Sequence, residues 1–227
     1  MKLGIEALLE NRELVDRLKD KKIALVATPA SVDHRLRHSL ELLHEHPGIK
    51  LSAAFGAQHG MRGEKQYNMI ESDDYLDPVY QIPVFSLYGE VRRPTAKMMA
   101  SFDVVLIDMQ DVGCRIYTFI TTLLYMLEEC AKHGKELWVL DRPNPAGRPI
   151  EGLTLRPGNE SFVGAGPVPM RHGLTMGEMA KWFVHHYKID VHLTVVTMQG
   201  YNPLGGPGYG WPWLELAWVN PSPNIPN

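Results

Sequence analysis

The feature that most constrains this chain of 227 residues is a repeated alternation: short, unbroken apolar runs separated by stretches with helical spacing. The runs occupy residues 23–27, 51–55, 84–88, 104–107, 137–140 and 193–196. Several, such as Val104-Val105-Leu106-Ile107, are apolar at successive positions, as a strand covered on both faces requires. Between them, Ile116, Ile120, Leu123, Leu127 and Cys130 fall on one helix face. Thr175-Met176-Gly177-Glu178 reads as a capping box, followed by a buried stripe of Met179, Ala180, Phe183 and Val184. Strand, helix, strand in this order predicts a doubly wound α/β fold. Its sheet is mostly parallel and Rossmann-like, with helices on both faces and right-handed crossovers.

Composition narrows the class. A formal charge of -3, with 23 basic against 26 acidic residues, argues against a nucleic-acid partner. No apolar run approaches the ~20 residues of a membrane span, so no membrane insertion is expected. Met1 to Glu6 shows no signal-peptide core, which predicts a cytoplasmic protein, or a periplasmic or secreted one whose export signal has been removed. Two cysteines make neither a disulfide framework nor a zinc pattern.

The composition shifts after Gly200. Residues 1–199 read as the Rossmann-like catalytic domain, and residues 200–227, rich in Gly, Pro and Trp, as a segment leading into a C-terminal domain absent from this chain. Trp211, Trp213 and Trp218 are then expected to be exposed and to favour self-association.

In a doubly wound sheet, ligands bind outside the carboxyl ends of the strands. The loops there begin Thr28-Pro29, Gly56-Ala57-Gln58-His59, Gly89-Glu90, Asp108-Met109-Gln110-Asp111 and Asp141-Arg142-Pro143-Asn144. All five carry polar groups that folding does not need, and their convergence is a stronger signal than any one of them. The second loop, residues 56–83, is long and holds Gln58, His59, Arg62, Glu64, Glu71, Asp73 and Asp74. Carboxylates beside arginine and histidine suit acid–base work, though surface ion pairs explain single residues equally well. Asp108 and Asp111, with Arg115 following, suggest an Arg–carboxylate clamp that orders the loop or direct substrate contact; ordering fits Asp108 better and contact fits Asp111. The two prolines around Asn144 pre-position that loop, as they would a structural turn. Arg171 and His172 precede the Thr175 cap, where an anion would be favoured, unless Arg171 pairs with Glu151 or Glu178. His34 and His38 stand one turn apart, but Arg35 and Arg37 make that stretch a solvated helix face rather than a metal site.

Taken together these motifs resemble the YbbC/NamZ-like family of bacterial exo-β-N-acetylmuramidases, glycoside hydrolase family 171. The matching stretches include Gly4-Ile5-Glu6, Phe55 to Gly63, Ser86-Leu87-Tyr88-Gly89 and Asp108 to Gly113. They continue through Arg115-Ile116-Tyr117-Thr118, Leu140 to Pro145, Glu151-Gly152, Pro169 to Gly173 and Pro221-Ser222-Pro223-Asn224. The resemblance runs in order over nearly the whole chain. It implies release of N-acetylmuramic acid from the non-reducing end of peptidoglycan fragments, in a cleft shared with a smaller second domain. It implies no metal or organic cofactor.

The catalytic candidates are Glu71, Glu64, Gln58, His59 and Asp111. The substrate-binding candidates are Arg62, Arg115, Tyr117, Asp141, Arg142, Asn144, Glu151, Arg171 and His172. Arg115 or Arg171 would hold the lactyl carboxylate of muramic acid. The chain departs from the family where many members have Glu and it has Gln58, which cannot donate a proton as a carboxylic acid can. Glu71 or Glu64 would then supply the carboxylate. The competing reading is a non-catalytic module that binds amino sugars, or another hydrolase on the same scaffold.

Overall fold

The computed structural model describes every residue except 64–69, 205–209, 214 and 223–227. The chain opens with helices α1 (Gly4–Glu10) and α2 (Arg12–Leu18), then alternates β1 (Lys22–Ala27), α3 (Ser39–Glu45) and β2 (Lys50–Gly56). A two-residue strand β3 (Tyr75–Leu76) precedes β4 (Pro83–Ser86), α4 (Ala96–Met99) and β5 (Val104–Asp108). After α5 (Phe119–His133) and β6 (Glu136–Leu140) comes a small arm, β7 (Glu151–Thr154) with β8 (Pro169–Arg171), and then α6 (Met176–Tyr187) and β9 (His192–Val196).

The main sheet has the order β3-β4-β2-β1-β5-β6-β9, and all pairs are parallel except β3 with β4. Its parallel strands, ranked by position in the chain, lie 3-2-1-4-5-6, the order of a doubly wound sheet whose direction of winding reverses between β1 and β5. The unbroken apolar runs follow from burial on both sides. Ala24, Val26, Val105, Ile107, Leu137 and Val139 pack into one core with Phe119, Leu123 and Phe183 of α5 and α6. Their neighbours Ile23, Leu25, Val104, Leu106, Trp138 and Leu140 pack into the other with Ile5, Leu8, Leu18 and Leu40 of α1, α2 and α3. The central strands β1, β5 and β6 thus carry apolar residues at successive positions.

Gly4 lets α1 begin against the end of β6: a Cβ there would lie 2.2 Å from the Asp141 amide nitrogen. The Thr175 box forms as expected, with Thr175 Oγ1 accepting from Glu178 N and Glu178 reaching back to Thr175 N.

Two expectations are corrected, and one element is added. Residues 28–38 form a loop, so His34 and His38 do not share a helix face; α3 starts at Ser39, and His38 caps it by accepting from Leu40 N. The β7–β8 arm carries no strong period and was not anticipated. Trp211 is buried in the α1-side core, where its indole N–H donates to Leu216 O and its ring meets Trp218 edge-on. Trp211 and Leu216 find apolar cover on that side, while Trp213 remains 54% exposed.

Candidate active site

The crevice is built on a buried ion pair. Asp108, at the last position of β5, is fully buried and receives Arg142 at both oxygens: Nε at 2.5 Å on Oδ1 and Nη2 at 3.0 Å on Oδ2. Ser39 Oγ also donates to it, and Arg142 Nη2 donates to Val32 O at 2.9 Å. The clamp expected at Asp108 therefore exists, but its arginine is Arg142 from the neighbouring strand's loop, not Arg115. A guanidinium 3% exposed and held this way ties three carboxyl-end loops together instead of facing ligand.

Asp141 and Asn144 are likewise turned inward. Asp141 accepts from Gly177 N, Arg142 N and Thr175 Oγ1 at the start of α6. Burial pushes its carboxyl up to about 6 against the pull of those donors. Asn144 accepts from Ala146 N and donates to Leu174 O, closing the turn.

Asp111 is different. It is 5% exposed, and its Oδ2 accepts from Gly113 N at 2.8 Å and faces His172 Nε2 at 3.2 Å. Leu174 N donates to His172 Nδ1, so the neutral ring carries its proton on Nε2 and donates it to Asp111. Asp111 Oδ1 and the Tyr117 hydroxyl are buried without a hydrogen-bond partner among the described residues. Burial pushes the Tyr117 hydroxyl up, with Ser222 beside it and the charge of Asp111 within reach. Gly113 makes this possible: it adopts φ +79, and a Cβ would lie 2.3 Å from Asn144 Oδ1.

The loop after β2 lines the other side. Gln58 Oε1 accepts from Thr118 Oγ1 at 2.8 Å, one residue from Tyr117. His59 is buried with φ +74, a strained backbone for a side chain of its size. Arg62 donates to the buried Asp77 at 2.8 Å. Glu71 is exposed and pairs with Arg92 at 3.2 Å, and Arg92 stacks 3.9 Å over Tyr88. Glu64 lies outside the described residues.

Arg115 and Arg171 hold the arm in place. Arg115 Nη1 donates to Leu153 O and Val168 O, both at 2.7 Å. Arg171 donates to Ala146 O and pairs with exposed Glu151 at 2.8 Å, while Glu178 pairs with Arg148. The fold therefore brings Asp111, His172, Tyr117 and Gln58 together over the ends of β5 and β2. It turns Asp141, Arg142 and Asn144 into supports, and leaves Glu71 and Glu151 exposed in ion pairs. Ser222 is the residue that sequence reasoning missed. Its only signal was the Pro221-Ser222 motif, far from the loops in sequence. Among the described residues no three His, Cys, Asp or Glu side chains converge as metal ligands would.

Residues 23–227 match the family model for the N-terminal part of the exo-β-N-acetylmuramidase NamZ. The chain is 42% identical, over 98% of its length, to the peptidoglycan β-N-acetylmuramidase NamZ of Bacillus subtilis strain 168, of which it spans 52%. Two crystal structures of DUF1343 family proteins from Bacteroides fragilis share its fold. One superposes with a TM-score of 0.84 at 36% identity, covering 99% of this chain and 56% of that one. The other gives 0.75 at 28% identity, covering 89% and 53%. The chain thus spans about half the length of the relatives it matches.

Proposed function

The chain belongs to the N-terminal family of the exo-β-N-acetylmuramidase NamZ, and from that premise we propose that its crevice hydrolyses the glycosidic bond of an N-acetylmuramic acid residue at the non-reducing end of peptidoglycan fragments. The observation that carries the reading is Asp111: a buried carboxylate with one oxygen fixed by Gly113 N and His172, and the other without a hydrogen-bond partner among the described residues.

Glycoside hydrolysis passes through an oxocarbenium-like transition state. The bond from the anomeric carbon to the leaving oxygen breaks, that oxygen gains a proton, and water supplies the hydroxyl. Asp111 Oδ1 is the carboxylate oxygen that stabilises the developing positive charge. His172 and Gly113 N hold the other oxygen so that the carboxylate needs no reorganisation as charge develops. The Tyr117 hydroxyl, kept protonated by burial, donates to a sugar oxygen. Gln58 contributes binding and no proton. The proton for the leaving oxygen then comes from the loop after β2, where Glu64 and Glu71 are the candidates. Glu71 accepts from Arg92 at 3.2 Å, so that acid role requires substrate to displace Arg92.

Gln58 itself favours a second reading, an amino-sugar-binding module without turnover. Release of chromophore from 4-nitrophenyl β-N-acetylmuramide, with the N-acetylglucosaminide as control, separates the two. Turnover of the muramide alone supports the glycosidase. Binding of the muramide without turnover supports the module. For both readings the exposed Ile150, Leu153 and Trp213 supply apolar surface for self-association, which a monodisperse monomer in light scattering would contradict.

A further inference from the structure

Gln110 stands beside Asp111 and is 1% exposed, yet the proposed reaction gives it no part. Its side-chain nitrogen makes two hydrogen bonds: Nε2 donates to Asp111 O and to Pro143 O, each at 2.8 Å. An amide nitrogen carries two N–H groups, so both are committed to backbone carbonyls. The other end, Oε1, is buried without a hydrogen-bond partner among the described residues. Turning the amide over would set that oxygen against two carbonyl oxygens, so its neighbours fix which end faces them. An unpaired buried acceptor is unfavourable, and the fold tolerates it here while keeping both carbonyl contacts.

The two carbonyls belong to different loops, one after β5 and one after β6. From Pro143 the connections run back to the same carboxylate. Asn144, the next residue, donates from Nδ2 to Leu174 O at 2.9 Å. Leu174 N donates to His172 Nδ1 at 3.2 Å, and His172 Nε2 donates to Asp111 Oδ2 at 3.2 Å. The circuit closes on Asp111. Gln110 holds Asp111 by its backbone, and through Pro143 and Asn144 it holds the segment that brings His172 to the Asp111 side chain. Fixing Asp111 O also fixes the peptide plane just before Gly113 N, the other donor to Oδ2 at 2.8 Å.

We infer that Gln110 is a positioning residue for Asp111: by clamping the loops after β5 and β6, its amide sets the carboxylate and its His172 donor in place together. The inference rests on the reading of Asp111 as the carboxylate of the proposed reaction. It gives Gln110 no contact with substrate. A carboxylate held in advance acts on the charge of the transition state, so loosening the clamp lowers kcat and leaves KM nearly alone.

The test is turnover of 4-nitrophenyl β-N-acetylmuramide by the whole protein, with kcat and KM measured for Gln110→Met, Gln110→Glu, Asp111→Asn, and Gln110→Met combined with Asp111→Asn. Gln110→Met keeps the length of the side chain and removes both donors. Its kcat should fall about tenfold or more, with KM within about twofold of the parent. The double variant should be no slower than Asp111→Asn, because a residue that acts through Asp111 then has nothing left to position. Gln110→Glu keeps the shape and carries the test if Gln110→Met does not fold. As a carboxylate it is repelled by both carbonyls, and once protonated it returns one donor. Burial raises such a carboxyl, so its kcat relative to the parent should recover as pH falls from about 7 to about 5. Parent-like kcat in Gln110→Met, losses that multiply in the double variant, or a Gln110→Glu profile parallel to the parent's overturns the positioning role alone. Parent-like turnover by Asp111→Asn, or none by the parent, overturns the reading of the site and the inference with it.

Discussion

His172 Nε2 lies 3.2 Å from Asp111 Oδ2, joining residues 61 positions apart into one buried pair at the end of β5. The Leu174 amide on Nδ1 fixes the tautomer, so His172 acts as a donor that orients Asp111 and not as a base. His172→Ala removes that donor and leaves Gly113 N alone on Oδ2. The expected result is a fall in kcat of about ten- to a hundredfold with little change in KM, the loss of one charge-assisted hydrogen bond. His172→Asn, which keeps a donor N–H on a shorter side chain, should recover part of it. A drop confined to KM would place His172 in substrate binding instead.

Arg142 and Asp108 predict a stability effect without a direct chemical one. Arg142→Met leaves Asp108, fully buried, with only Ser39 among the described residues donating to its carboxylate. Removing one partner of a buried pair costs ~3–5 kcal/mol. Urea unfolding should show the unfolding free energy falling by that amount. A shift below ~1 kcal/mol would mean that water reaches Asp108 in the folded protein.

Asp141 gives stability a pH dependence. Its folded carboxyl, pushed up to about 6 by burial, stands above its ordinary 3.8. Protonation therefore favours the folded state: the contribution is fully present below about 3.8 and is lost as pH rises through about 6. The gap corresponds to ~3 kcal/mol. Asp77, Glu136 and Glu178 are held low, so their contributions fail on the acid side of this window. Thermal unfolding from about pH 4 to about pH 7 should show the parent losing ground to Asp141→Asn as pH rises. Parallel curves for the two proteins would show that Asp141 ionises as readily folded as unfolded.

Much of this was legible in the sequence, for physical reasons that also mark the limits. Strand positions were readable because burial on both faces forces apolar residues at every position, as in Val104 to Ile107. The Thr175 cap was readable because it is local. The partner of Asp108 was not. It depends on β5 lying beside β6, with Ile107 opposite Val139, and strand order is not written in any window of sequence. For Asp141, Arg142 and Asn144 the sequence leaves substrate contact and a structural turn both open, since only the packed loops reveal which way a polar side chain turns. The fate of Trp211 also depended on tertiary cover that local composition could not show.

The most direct test of the account is Asp111→Asn, assayed on 4-nitrophenyl β-N-acetylmuramide beside the parent protein. Asparagine keeps the shape and can still accept from Gly113 N, but it removes the charge that the buried Oδ1 presents. The account predicts a fall in kcat of at least about a hundredfold, with thermal unfolding little changed. Parent-like turnover by Asp111→Asn would contradict it and move the chemistry to the carboxylates of the loop after β2.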